Sequence, residues 1–453
     1  MKKTLIIVLA LLMLVSVFAG CGKQPQNSSG SGEVDLTKYP SGYPFVENKY
    51  AGDKLSIWTG QTRTAKNEAM IAEFEKGTGA KIEFTAVPYT DGLSAYATAI
   101  MAGTGIDFFA PDNRQFPSWV IKKLMVPVST VLDLNDPLYQ DSGLLVKGTS
   151  DFFTFKGEVY GFMPSRFVNC SYIVYNKALF DEAGLEDPYE LWQQGKWNFD
   201  ALEEAAAALT YDSDDDGIID RFGLTGYIDV YWIGCAGGDA NYVRWDKEGR
   251  PQFAIDDPDI LECYVFYREL RDQGYYHTEI TPAVDFCEQT AAMYGGIVEW
   301  DSANFIEELG VENIGYVPFP ASPSNTSGIS NAKIHSSAYA IPSSVHNAAL
   351  LKEWIDYSMF WTRADAEEND PKEAAIRKRI ETTYGGNEDW YNFNLKLLEH
   401  TWIDNGASFG EVENICNSQV FWSSEDSVYN LIQAVAPACQ AEIDEVFYDL
   451  TEE

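Results

Sequence analysis

Five positions between Asp212 and Asp220 have the types and spacing of a cation site. In Asp212-Ser-Asp-Asp-Asp-Gly-Ile-Ile-Asp220, carboxylates fall at loop positions 1, 3, 5 and 9 and glycine at 6, the spacing of oxygen ligands in a Ca²⁺ loop. Ile218 occupies position 7, where a backbone carbonyl serves as ligand. Crowded carboxylates repel one another without a cation, so a structural Ca²⁺ held by Asp212, Asp214, Asp216, Ile218 and Asp220 is expected. Gly223 stands where the bidentate glutamate belongs, so the shell needs a further ligand or water. A solvated acidic turn is the competing reading. No other cofactor is required: His277, His335, His346 and His400 are scattered and no Cys-x-x-Cys occurs, which argues against zinc.

A second chemistry is carried by aromatic rings. Phe, Tyr and Trp make up 14% of the chain, including 12 tryptophans, more than packing tends to recruit. Indole faces suit the C–H surface of a pyranose, while carboxylates, amides and guanidinium groups pair its hydroxyls. Leaving those hydroxyls unpaired in a closed site would be costly. Trp58 and Gln61, and Asp112, Asn113 and Arg114, stand at strand ends where such groups could meet a ligand, and Arg166, Tyr227, Asp229, Trp232, Trp300 and Trp422 are added by a family resemblance. A core role for Trp58 is equally open. Strand alternation lets only some residues of the Tyr227–Trp232 stretch, Tyr231 included, face a ligand.

The elements that must position them alternate between strand and helix. Lys54–Trp58 reads as a buried strand, Thr64–Lys76 as a helix with Met70, Ile71 and Phe74 on one face, and Lys81–Val87 as a returning strand. That βαβ order favours a parallel sheet covered by helices. A helix over Gly92–Ala102 leads to a third strand at Ile106–Ala110, ending in Pro111-Asp-Asn-Arg114. Strands are expected again at Ser171–Tyr175, Gly296–Trp300 and Ile314–Pro318, and Asp200-Ala-Leu-Glu203 reads as a capping box. In open α/β sheets, ligands gather just past the carboxyl ends of the strands, where Trp58, Asp112 and Trp300 fall.

The N-terminus addresses the chain. Lys2 and Lys3, an apolar run over Leu5–Leu14 and Ala19-Gly-Cys21 form a lipoprotein-type leader, with Phe18 where leucine is usual. The expected organisation is a signal over 1–20, lipidation of Cys21, and a flexible linker over 21–53. Acyl chains on Cys21, palmitate among them, would hold the protein on the outer face of a cell membrane. The chain carries 69 acidic against 32 basic residues, net −37, so nucleic acid and anionic lipid are poor partners. Its length exceeds what one core organises, and two lobes follow. Cys170, Cys235, Cys263, Cys287, Cys416 and Cys439 are left with disulfide or free thiol open.

Several stretches resemble a known family. Ile71-Ala-Glu-Phe-Glu-Lys-Gly-Thr-Gly79, Val174-Tyr-Asn-Lys-Ala-Leu-Phe-Asp-Glu-Ala-Gly184, Gly195-Lys-Trp-Asn-Phe199, Gly315-Tyr-Val-Pro-Phe-Pro320 and Ala340-Ile-Pro-Ser-Ser344 look like family 1 extracellular solute-binding proteins. The similarity runs in order from about residue 54 to 440. It implies the ligand-capture subunit of an ABC importer, often carbohydrate-specific, working with membrane permease subunits. The implied fold is α/β, two-lobed, of the type II periplasmic-binding-protein kind, with crossover hinge strands. By this analogy lobe 1 covers 54–165 with a return at about 305–335, and lobe 2 covers 166–304 with C-terminal helices over 336–453. The resemblance makes Asp112–Arg114 a sugar contact, with Phe109 in place of a usual tryptophan, and Met163–Arg166 a hinge. It makes Tyr227–Trp232 the source of an acid and an aromatic, Trp300 the stacking tryptophan and Trp422 a further platform.

The reading is therefore a monomeric carbohydrate binder, most plausibly for an oligosaccharide, and not an enzyme. A non-sugar solute such as a peptide or polyamine is the alternative within that class. A surface glycoside hydrolase is the rival outside it, with no catalytic signature to favour it. Gly406-Ala-Ser-Phe-Gly410 matches a nucleophile pattern but lacks the strand-to-helix elbow that the chemistry needs.

Overall fold

A computed structural model describes residues 42–59, 65–88, 92–111, 113–136, 139, 147–162, 168–227, 231–277, 281–334, 338–364 and 371–448. The first lobe begins earlier than expected. Tyr43, Phe45 and Tyr50, assigned to the linker, pack into a core with Phe74, Trp354 and Tyr357. Three aromatic rings have more to gain from burial than a spacer allows, so the folded body includes residues 42–53.

Strand β1 (Lys54–Thr59) alternates, burying Leu55, Ile57 and Thr59. Helix α1 (Ala65–Thr78) carries the chain to β2 (Lys81–Ala86), which pairs in parallel with β1 from Lys54↔Lys81 to Thr59↔Ala86. Helix α2 (Gly92–Met101) returns it to β3 (Phe108–Phe109) on the other side of β1. Two short strands, β4 (Met125–Val126) and β5 (Gly161–Phe162), complete this part of the chain.

The second lobe opens on β6 (Ser171–Asn176), buried along its whole length. Asn176 caps α3 (Lys177–Ala183), and Gly184 ends it in the left-handed conformation, φ 68°. Asp187 caps α4 (Pro188–Gln193). Helix α5 (Phe199–Leu209) is capped by Asn198, which accepts from the Ala201 amide, rather than by Asp200. Asn198 is the residue with extended φ and ψ, which an N-cap requires. The chain continues through β7 (Phe222–Gly226), α6 (Pro258–Asp272), β8 (Ala291–Ile297), α7 (Ser302–Leu309) and β9 (Ile314–Val317). These strands form a four-stranded sheet in the order β9-β6-β8-β7, with β8 and β7 parallel and β6 antiparallel to its neighbours.

The chain then crosses back. β10 (Ala332–Lys333) lies at the crossing, and β11 (Tyr339–Pro342) enters the first sheet antiparallel to β3, β4 and β5. Helix α8 (Ala348–Ala364) seals that lobe, its Trp354 ring edge-on to Phe74 at 5.1 Å. The return expected at 305–335 thus lies at 338–364 instead, because β9 pairs with β6 in the second sheet. The buried Asp107 carboxylate fixes the junction, accepting from the Ser56 and His346 amides at 2.9 and 2.8 Å.

Helices α9 (Pro371–Tyr384) and α10 (Glu388–Leu397) return to the second lobe. β12 (Thr401–Trp402) pairs in parallel with β10, and α11 (Val412–Cys416) and α12 (Val428–Tyr448) finish the lobe. The six described cysteines are free thiols. Among the described residues no helix is long and apolar enough to cross a membrane.

Candidate functional site at the junction of the lobes

β7 and β8 run in parallel, so the residues that follow them emerge on one edge of the second sheet. Tyr227 follows β7 and Trp300 follows β8; they are 45% and 52% exposed, large rings open to a ligand. The Tyr294 hydroxyl bonds the Asp301 carboxylate at 3.2 Å and faces the hydroxyls of Tyr231 and Tyr227. Burial pushes the Asp301 carboxyl up.

On the first lobe, Trp58 ends β1 half-buried, its Nε1 donating to Ser56 Oγ at 3.0 Å and its ring beside Tyr96. Asn113 and Arg114 lie in a short turn past β3, both half-buried. Asn113 Nδ2 donates to the Asp404 carbonyl at 2.8 Å, and Ser408 Oγ donates to the Asn113 carbonyl at 2.7 Å. This joins the exit of β3 to the second lobe. Phe109, offered in place of a stacking tryptophan, is fully buried between Tyr96 and Trp119.

Two expected platforms are corrected. Trp232 is 0% exposed and meets Tyr264 edge-on at 4.4 Å. β7 stops at Gly226 and a 3₁₀ turn over Trp232–Ala236 carries the indole into the core. Trp422 is exposed but lies at the C-terminal end of α6, with the Arg271 guanidinium 5.9 Å from its ring. From that end the chain enters its pairing with β7, so Trp422 belongs to the opposite edge from Trp300. Gln61, Asp112, Arg166, Asp229 and Cys21 lie outside the described residues.

An ion pair at the same junction was not anticipated. Lys333 Nζ sits 3.1 Å from Asp404 Oδ2 and over the rings of Tyr231 and Trp402, at 5.5 and 5.6 Å. The second Asp404 oxygen accepts from the Gly406 amide at 2.7 Å. Neither residue belongs to a local motif, and only the pairing of β10 with β12 brings them together.

In the acidic loop, ligand atoms of Asp212, Asp214 and Asp216 lie within 4.8 Å of one another. Asp212 accepts from the Gly217 amide at 2.7 Å, which holds its carboxyl below the usual range. Asp220 accepts from the Ser213 amide at 2.6 Å and is not among the converging carboxylates. The loop therefore offers three converging carboxylates rather than the full set, a partial fit to Ca²⁺.

A separate cavity of about 320 Å³ opens on the second lobe among Trp192, Trp197, Phe319, Ile329, Lys396 and His400. It contains none of the candidate ligand residues.

The model of the bacterial extracellular solute-binding protein family matches residues 59–358. The chain belongs to that family. Its members bind solutes outside the cytoplasm, and the two-lobed α/β fold expected from the motifs is borne out by solved relatives. This solute-binding protein superposes on the sugar-binding protein MalE of Xanthomonas citri with a TM-score of 0.65, at 17% identity, over 88% of this chain and 100% of that one. The substrate-binding protein Lmo0181 of Listeria monocytogenes, solved in complex with cycloalternan, gives 0.58 at 15% identity over 87% and 99%. A binding protein of Brucella abortus (strain 2308) is 24% identical over 267 residues, 55% of this chain. The match spans 58% of that relative's own length.

Proposed function

We propose that this solute-binding protein captures a carbohydrate, an oligosaccharide, between its lobes and delivers it unaltered to the permease of an ABC importer. The observation that carries the reading is the pair of exposed rings, Tyr227 and Trp300, on one edge of the second sheet. Asp301 and Tyr231 meet Tyr294 beside them, and Lys333 of the Lys333–Asp404 pair sits over the Tyr231 ring, polar groups of the kind that ring hydroxyls pair with. The relatives of like fold include a MalE and a cycloalternan-bound protein, which favours sugar over peptide or polyamine.

The protein acts as a monomer held to the membrane by lipid on Cys21, with residues downstream serving as tether. The Asp212–Asp216 loop takes a structural Ca²⁺, through those carboxylates and the Ile218 carbonyl, with water in the remaining positions. Titration calorimetry across a glycan panel, with analysis of the recovered sugars, tests the central reading. Binding without cleavage supports it; cleavage, or heat only from peptides or polyamines, overturns it.

A further inference from the structure

Glu299 stands immediately before Trp300 in a 3₁₀ turn over Val298–Trp300, and its carboxylate points away from solvent into a ring of donors. Oε2 accepts from the Cys170 amide at 3.2 Å. Oε1 accepts from Asn394 Nδ2 at 2.6 Å and from the Tyr384 hydroxyl at 3.2 Å. The Tyr172 hydroxyl also donates to it, and Arg379 faces it from α9 while donating to Asn169 Oδ1 at 2.6 Å. These partners belong to α9, α10, β6, which carries Tyr172, and the residues Asn169 and Cys170, just after the first crossing between lobes. Cys170 is itself bridged to Ile334, on the return crossing.

We propose that Glu299 is a positioning residue whose carboxyl group fastens the turn presenting Trp300 to the crossing segments, and that ionisation loosens this fastening. The tyrosine hydroxyls can accept as well as donate, so the protonated acid keeps its ties, whereas an ionised carboxylate in this buried ring bears a desolvation cost that its donors and Arg379 do not offset. Burial pushes the Glu299 carboxyl up to about 7, which brings the change into the neutral range. The other titratable neighbours, the Cys170 thiol and the Tyr172 and Tyr384 hydroxyls, are pushed upward by burial and stay protonated there. Arg379 is the cation facing the site.

Any consequence for affinity rests on the sugar-binding reading; the tie itself does not. The test is amide exchange of the full chain over Val168–Cys170 and Val298–Asp301, at about pH 6 and about pH 8 with the intrinsic rate divided out, in the wild type and in Glu299→Gln. Protection of both segments should fall several-fold at the higher pH in the wild type and be unchanged with pH in the variant. An unchanged wild type, or a variant with the same pH response, overturns the proposal. Melting curves verify that Glu299→Gln is folded, and Glu299→Asp, which keeps the charge, should retain a pH response. Whichever glycan of the panel binds, its Kd should rise toward the higher pH in the wild type alone. If no glycan binds, the sugar reading fails while the exchange result still decides this one.

Discussion

Lys333 and Asp404 lie 3.1 Å apart with side chains only 16% and 2% exposed, so the second lobe buries an ion pair where the first lobe touches it. Breaking such a pair leaves a charge without its partner. Lys333→Met should cost about 3–5 kcal/mol, while the double variant with Asp404→Leu should recover part of it. Chemical denaturation of both variants measures the difference, and equal losses would show that the charges are not coupled.

Trp300 and Trp232 should part company on truncation. Trp300→Ala removes an exposed ring, so binding of the captured sugar should weaken roughly tenfold or more with the melting temperature nearly unchanged. Trp232→Ala opens a core cavity and should cost about 3–5 kcal/mol of stability. Calorimetry and thermal melts, run side by side, separate the two outcomes.

If Ca²⁺ occupies the acidic loop, a chelator should lower the melting temperature by a few degrees and added Ca²⁺ in the millimolar range should restore it. Asp212→Asn should abolish that response. No movement on chelation would leave the loop a solvated acidic turn.

The Glu299 carboxyl lies near 7 in the folded protein against an ordinary 4.5, so folding favours its protonated form. Its contribution is fully present below the unfolded value and is lost as pH rises through about 7, an effect bounded at about 3 kcal/mol. Stability of the wild type relative to Glu299→Gln should therefore decline from pH 5 to pH 8. Denaturation across that range reads the slope; a constant difference would place the titration elsewhere.

Much of the first sheet was readable because its signals are local: the alternation of Lys54–Thr59, the apolar face of α1 and the βαβ order each sit within one short window. The exposure of Trp300 was readable for the same reason, three residues past an apolar, glycine-bearing strand. The return strand was not. Tyr339–Pro342 is four residues long and ends in proline, and its partners lie far back at β3, β4 and β5. Trp232 failed because a 3₁₀ turn replaced the expected alternation, and the Lys333–Asp404 pair has no pattern shorter than the 71 residues between them. What escaped was set by which distant strands pair.

β11 fills the slot beside β3 only after the whole second sheet has been made. A chain emerging N-terminus first therefore carries β1, β2 and β3 with an open edge until Tyr339–Pro342 leave the ribosome. The first lobe cannot finish folding before most of the second has been synthesised, which keeps the chain unfolded late. That timing suits a protein that must be threaded through a membrane before it folds. For the same reason neither lobe is expected to fold as a single uncut fragment.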